Sequence, residues 1–166
     1  MASGQCVFML PAFLFDGMLR YLLVMGWFAS CVAGQSVCLE LARRHETLRT
    51  TFESTDGDPV LRIAAEPNIL FDTVDLRHLL EAERDAEAQR LSAEDARKPF
   101  DLAEGPLFQI RLFQLKDQEH VLHFNMHHII SDGWSFGVMA REIAALYSAF
   151  IEGKPDDLPE LAVQYA

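Results

Sequence analysis

An α/β sandwich, of mostly antiparallel strands with helices packed on them, is the fold this sequence predicts, and three patterns predict it. Residues 107–115 and 120–126 alternate apolar with polar side chains, the period of half-buried strands. Residues 136–151 instead repeat Val138, Met139, Ile143, Leu146, Tyr147 and Phe150 at helical spacing. Between these extremes, Asp56, Gly57, Asp58 and Pro59 make a turn flanked by Thr50, Thr51 and Phe52 on one side and Val60 to Ile63 on the other, a first hairpin.

The N-terminal segment stands apart. Residues 1–39 hold one acid, Asp16, and one base, Arg20, so the whole net charge of −11 lies in residues 40–166, and a boundary is expected near residue 38. Val7 to Phe15 and Tyr21 to Gly34 are nearly unbroken apolar runs, each too short for a spanning helix. Read from Met18, the stretch ending at Cys31 has one positive residue, an apolar centre and small residues, the pattern of a signal or lipoprotein-type start. The other reading is a poorly ordered or misassigned start, such as a shifted reading frame, joined to a cytoplasmic domain.

From residue 37 the elements follow in order. Val37, Leu41 and Leu48, interleaved with Arg43, Arg44, Glu46 and Arg49, predict a helix that runs into the first hairpin. Asp75 is expected to cap a long helix reaching Arg97, with Leu76, Leu79, Leu80 and Leu91 inward and Pro99 as its stop. The alternating strands at 107–115 and 120–126 form a second antiparallel hairpin through a turn at Gln118 and Glu119. Gly153 ends the last helix, and a loop with Pro155 and Pro159 follows.

Composition excludes several functions. The chain has 166 residues, half of them apolar, enough for one sizeable core. Its 14 basic against 25 acidic residues repel a phosphate backbone or an anionic membrane surface, so no nucleic acid and no membrane are expected as partners. Cys6, Cys31 and Cys38 are odd in number and lack a Cys-x-x-Cys spacing, which points to a reducing, cytoplasmic compartment.

The chemistry-bearing residues gather in residues 126–135, MHHIISDGWS. Adjacent histidines on a strand face opposite ways, so only one of His127 and His128 can look into a given pocket. The amides of Gly133, Trp134 and Ser135 open the last helix, where they can hold a developing oxyanion. A neutral imidazole is the natural base near neutral pH. With no catalytic Cys and no Gly-x-Ser-x-Gly elbow, the nucleophile is expected to be a substrate amine, hydroxyl or thiol. Two other readings fit the spacing. His123, His127, His128 and Asp132 form a conceivable metal set, though His123 and His127 share a strand face that His128 opposes, and no metal is expected. The pair can also be purely structural. His45, His78 and His120 read as surface or cap residues, and Trp134 and Phe136 as core.

The run from His127 through Gly133 resembles the His-His-x-x-x-Asp-Gly motif of condensation domains of nonribosomal peptide synthetases. Arg44-His45-Glu46-Thr47-Leu48-Arg49-Thr50-Thr51-Phe52 is similar to that family's Arg-His-Glu-x-Leu-Arg-Thr-x-Phe motif. Pro99-Phe100-Asp101-Leu102-Ala103-Glu104-Gly105-Pro106-Leu107 and the ending LPELAVQYA look like the family too, so the resemblance spans residues 38–166. It implies the N-terminal lobe of a chloramphenicol-acetyltransferase-like fold, with the C-terminal lobe absent and the first strand of the lobe missing.

In function, the resemblance implies an amide-forming acyltransferase acting on aminoacyl or peptidyl thioesters. These are carried on phosphopantetheine arms of partner carrier proteins, beside an adenylation domain, with no cofactor of its own. His128 would direct the acceptor amine onto the donor thioester, His127 would support the backbone, and Gly133 would bring its amide to the reacting carbonyl. Asp132 would be ion-paired with Arg44, or failing that Arg49, an arrangement whose breaking costs on the order of 3 to 5 kcal/mol. Ser135 would support the same turn. A noncatalytic remnant or docking fragment and an epimerisation or ester-forming relative are the alternatives, whereas cyclisation domains carry Asp where His127 stands.

Overall fold

The computed structural model describes residues 7–10, 18–26, 31–117 and 119–164. Cys6, Asp16 and Gln118, which the sequence reading singled out, lie outside them. Strands β1 (Val7–Leu10), β2 (Met18–Gly26), β5 (Leu70–Asp75), β6 (Phe108–Lys116) and β7 (Glu119–His127) form one sheet in the order β1-β2-β7-β6-β5. All neighbours are antiparallel except β5 and β6. β3 (Thr50–Thr55) and β4 (Asp58–Ile63) make a separate ribbon. The helices are α1 (Cys31–Arg44), α2 (Glu81–Asp95) and α3 (Gly133–Glu152), with a short 3-10 turn at Glu46–Arg49.

The two faces of the sheet carry two apolar clusters. On one face, Phe108, Ile110 and Leu112 of β6 with Leu122, Phe124 and Met126 of β7 pack under Val37, Cys38 and Leu41 of α1 and Met139, Ile143 and Leu146 of α3. Phe124 is fully enclosed, its ring stacked on Phe108 at 5.9 Å and edge-on to Phe136 at 6.5 Å. On the other face Phe113, Leu115 and Val121 pack with Leu76 and Ala88 beneath α2. The alternation in β6 and β7 breaks at Leu112-Phe113 and Val121-Leu122, where adjacent apolar residues serve the clusters on opposite faces. Burial pushes the Cys38 thiol far above its ordinary range.

Several expectations are corrected. The boundary near residue 38 falls inside α1, and the segment expected to stand apart supplies β1 and β2. Residues 18–26, weighed as part of a signal-type start, lie between β1 and β7 in β2. Asp75 caps no helix: it ends β5, and its carboxylate accepts from the Arg77 amide and guanidinium at 2.9 and 2.8 Å. α2 starts later, at Glu81, and Leu80, expected inward, is 72% exposed.

Two glycines are required by backbone shape. Gly153 ends α3 at φ 64°, the left-handed region, so the chain can turn away. Gly105 sits at φ 62°, and a Cβ there would meet Thr51 Cγ2 at 3.0 Å. No helix among the described residues is long and apolar enough to cross a membrane.

Candidate active site

The site forms where β7 runs out. Its last residue, His127, donates its amide to the Leu107 carbonyl at 3.1 Å, and its own carbonyl accepts from the Ile130 amide at 3.1 Å, which closes a turn. His128 and Ile129 occupy that turn. The histidines therefore part company because the strand ends between them, not by strand alternation.

Each imidazole has its own task. His127 Nδ1 accepts from the Ile129 amide at 3.1 Å, and Phe100 lies edge-on to its ring at 6.1 Å. Burial, with the neighbouring His128 as a second cause, holds its pKa below the ordinary value, so it is a neutral brace for the turn at pH 7. His128 faces the Ser131 carbonyl through Nδ1 at 2.8 Å. A carbonyl only accepts, so Nδ1 carries the proton and the neutral ring keeps its lone pair on Nε2. His128 is exposed and lines a cleft of about 520 Å³, which His127 does not reach.

Asp132 begins α3. Its backbone is extended, and its Oδ1 accepts from the Ser135 amide at 2.8 Å and the Ser135 hydroxyl at 2.7 Å, a capping box. These bonds, with a smaller contribution from the Trp134 amide, hold its carboxyl below the ordinary range. The expected arginine partner is a correction. Arg44 is paired with Glu142 at 3.2 Å and donates to the Pro159 carbonyl at 2.8 Å. Arg49 turns to the Ala64 carbonyl and to Glu46 at 3.6 Å. A short polar side chain beside a helix start finds the nearest unsatisfied amides before any distant charge.

That cap also alters the expected oxyanion site. The Ser135 amide is occupied by Asp132, and the Trp134 amide is turned toward the same carboxylate, so these groups hold the protein's own anion. Gly133 opens α3 as expected from its position.

Residues missed in the sequence complete the cleft wall. His45, expected at the surface, is paired through Nε2 with Glu142 Oε2 at 2.8 Å and lines the same cleft as His128. Glu142 itself is buried, joined to both Arg44 and His45. Its signal was available: an acid three residues after Met139 and four before Leu146, on the apolar face of the last helix. Gln164 reaches back, accepting from the Glu46 amide at 3.2 Å and donating to the Arg44 carbonyl at 2.8 Å. Trp134, expected in the core, is 82% exposed at the cleft with Ile129 and Val163, while Phe136 is buried. His78 is exposed, with Nδ1 against the Asp75 carbonyl, but His120 is buried and so departs from the surface reading. His123 is buried beside Phe113. Among the described residues no three His, Cys, Asp or Glu side chains are grouped to hold a metal ion.

Comparison with known proteins gives a concordant set of matches. The family model described as Condensation domain matches residues 35–166. A linear gramicidin synthase of Brevibacillus parabrevis is 47% identical over 126 residues, which are 76% of this chain and 2% of the synthase polypeptide. Phosphinothricin tripeptide synthetase PhsC of Streptomyces viridochromogenes is 43% identical over 126 residues, 76% of this chain and 12% of that protein. The starter condensation domain of rhizomide synthetase RzmA has a similar fold, with a TM-score of 0.79 at 24% identity over 88% of this chain and 35% of its own. The chain therefore spans a small part of the curated relatives it matches.

Proposed function

Because the chain belongs to the condensation-domain family, we propose that it supplies the N-terminal lobe of an acyltransferase that joins carrier-bound aminoacyl or peptidyl groups through an amide bond. The observation that carries this reading is the bond from His128 Nδ1 to the Ser131 carbonyl at 2.8 Å, which leaves Nε2 as the acceptor on an imidazole lining the cleft. The acceptor's amine donates to Nε2 while its nitrogen attacks the donor's thioester carbonyl. As the tetrahedral intermediate collapses, the C–S bond breaks, the nitrogen gives up a proton, and the sulfur leaves as a thiol. His127 and the Asp132 cap hold the turn from which His128 projects, so positioning and basicity come from one short segment.

Partner carrier proteins would bring both substrates on phosphopantetheine arms, with an adenylation domain loading them. Trp134, Ile129 and Val163 leave an apolar rim exposed at 82%, 46% and 83%, which supports a second wall contributed by the C-terminal lobe. The same rim favours a second reading, in which this segment alone docks without catalysing. The test is a condensation assay with loaded donor and acceptor carrier proteins, on this chain alone and in a two-lobe enzyme carrying it. Amide formation is expected from the two-lobe form only. His128→Ala should lower its rate by at least ~100-fold, the usual worth of a positioned acid or base. A two-lobe enzyme unaffected by that substitution would refute the proposal.

A further inference from the structure

The run from Pro99 to Leu107 has no part in the mechanism above, yet it sends one side chain to the active-site turn. Phe100 stands at 87° to the His127 ring with centroids 6.1 Å apart, half-buried against the larger apolar cluster. Its segment is pinned at both ends. Upstream, Asp95 pairs with Arg111 Nη1 of β6 at 2.7 Å, and its carbonyl accepts from the buried Asn125 side chain of β7 at 3.3 Å. Downstream, the Leu102 carbonyl accepts from the Phe52 amide of β3 at 2.7 Å. Three strands thus hold Phe100 against His127.

What Phe100 covers is a titratable acceptor. A backbone amide only donates, so the bond from the Ile129 amide to His127 Nδ1 at 3.1 Å exists only while that nitrogen keeps its lone pair. A protonated ring would set a second donor against the amide and release the turn that carries His128. The surroundings oppose that proton: burial, then the neighbouring His128, hold His127 below the ordinary imidazole value. No carboxylate pairs with it among the described residues. Met18 lies opposite on β2, and Leu107, just before β6, presents its carbonyl to the His127 amide. In the covering segment Lys98 is paired with Asp95 at 3.0 Å, and Asp101 accepts from the Ala103 and Glu104 amides. At the far end of the turn, Asp132 is bound to Ser135.

We propose that Phe100 is a positioning residue for acyl transfer: by keeping water from His127 it preserves the acceptor for the Ile129 amide, and through that bond the placement of His128. The effect on rate rests on the acyl-transfer reading above, whereas the tie from Phe100 to the turn does not. It follows that condensation slows in acid in step with protonation of His127, a residue that does not line the cleft.

Two readouts test this. In the 166-residue chain, nitrogen-15 NMR follows the His127 imidazole and the Ile129 amide as pH is lowered. In a two-lobe enzyme carrying the chain, amide formation between loaded carrier proteins is measured over the same range. Expected are an Nε2–H tautomer at His127 and an Ile129 amide that shifts with its titration. Phe100→Ala should move that titration up toward ~6.5, and the acid limb of the rate should move up with it. Phe100→Leu covers less of the ring and should move both by a smaller amount, which keeps the comparison should the alanine variant not fold. His127→Asn puts a non-titrating oxygen two residues before the Ile129 amide, an Asx-turn bond, so in that background Phe100→Ala should leave the acid limb where it is. An Nδ1–H tautomer at His127 would overturn the proposal. So would a titration that stays or falls when Phe100 is shortened, a fall marking a ring that attracts the imidazolium instead. An acid limb that ignores Phe100 while the His127 titration moves, or that still moves in the His127→Asn background, would reduce Phe100 to packing and overturn it too. A two-lobe enzyme without condensation activity would remove the acyl-transfer reading, and the shifts in the chain would still decide whether Phe100 holds the turn.

Discussion

Replacing Asp132 by Ala discriminates between two physical accounts of the same motif residue. If the carboxylate were half of a buried ion pair, its loss would cost on the order of 3 to 5 kcal/mol. In the structure it is exposed and caps α3 through Ser135 at 2.8 and 2.7 Å. Losing such a cap costs about 1 kcal/mol, within a range of roughly 0.5 to 2. A charge at a helix start adds about 0.3 to 1 kcal/mol more. The expected loss is therefore about 1 to 2 kcal/mol, read by urea unfolding of the chain. Asp132→Asn keeps an acceptor at the cap and should lose only the charge contribution. The pH dependence has a definite sign. The folded carboxyl is held below the ordinary value near ~3.9, so its contribution is complete above that pH and fades as pH falls through the folded value. The gap between wild type and Asp132→Asn should close in acid. A loss of 3 kcal/mol or more in Asp132→Ala, with Asn no better than Ala, would refute the cap and restore an ion pair.

Glu142→Ala should destabilise by about 3 to 5 kcal/mol in the same unfolding assay, because it strands the buried Arg44, and joint replacement by Arg44→Met and Glu142→Leu should cost clearly less than the two single changes added. Phe124→Ala removes the ring between Phe108 and Phe136 and should cost about 3 to 5 kcal/mol, with near-ultraviolet circular dichroism reporting the loosened core. His120 and His127 are both held below the ordinary imidazole value, chiefly by burial, with Arg77 and His128 as the respective second causes. Their contribution to stability is complete above about pH 6.5 and is lost as pH falls through their folded values, so proton NMR should show both titrating below the ordinary imidazole value of ~6.5.

What the sequence made legible follows the range of the forces involved. The β6 and β7 hairpin was readable because its alternation is written into adjacent residues, and α3 because its apolar face repeats over five turns. β5 was not, since four of its six side chains are exposed and its one strand partner among the described residues is β6, across α2 in the chain. β2 was not read as a strand, either in the signal-type reading or in that of a poorly ordered or misassigned start, because its pairing with β1 and with the distant β7 leaves no mark in its own composition. The site divides the same way. His127, His128, Asp132 and Ser135 lie within nine residues and were found together. Glu142 and His45 are 97 positions apart and meet only when α3 packs on α1.

That division also orders the chemistry. The local half of the site sets one imidazole: the strand end, the His127 brace and the Asp132 cap fix His128 through hydrogen bonds within residues 127–135. The long-range half sets the other, because His45 keeps its orientation only while α1 and α3 remain packed and Gln164 ties the tail to the 3-10 turn. A substitution in the core between α1 and α3 should thus disturb His45 before His128, although both line one cleft. Leu41, fully buried on α1 one turn before His45, is the position to use, since its own carbonyl also accepts the His45 amide at 3.1 Å. A cavity opened beside that hinge by Leu41→Ala loosens the end of α1 on which the His45 and Glu142 pairing depends, and nitrogen-15 NMR should show the His45 resonances shifting more than those of His128.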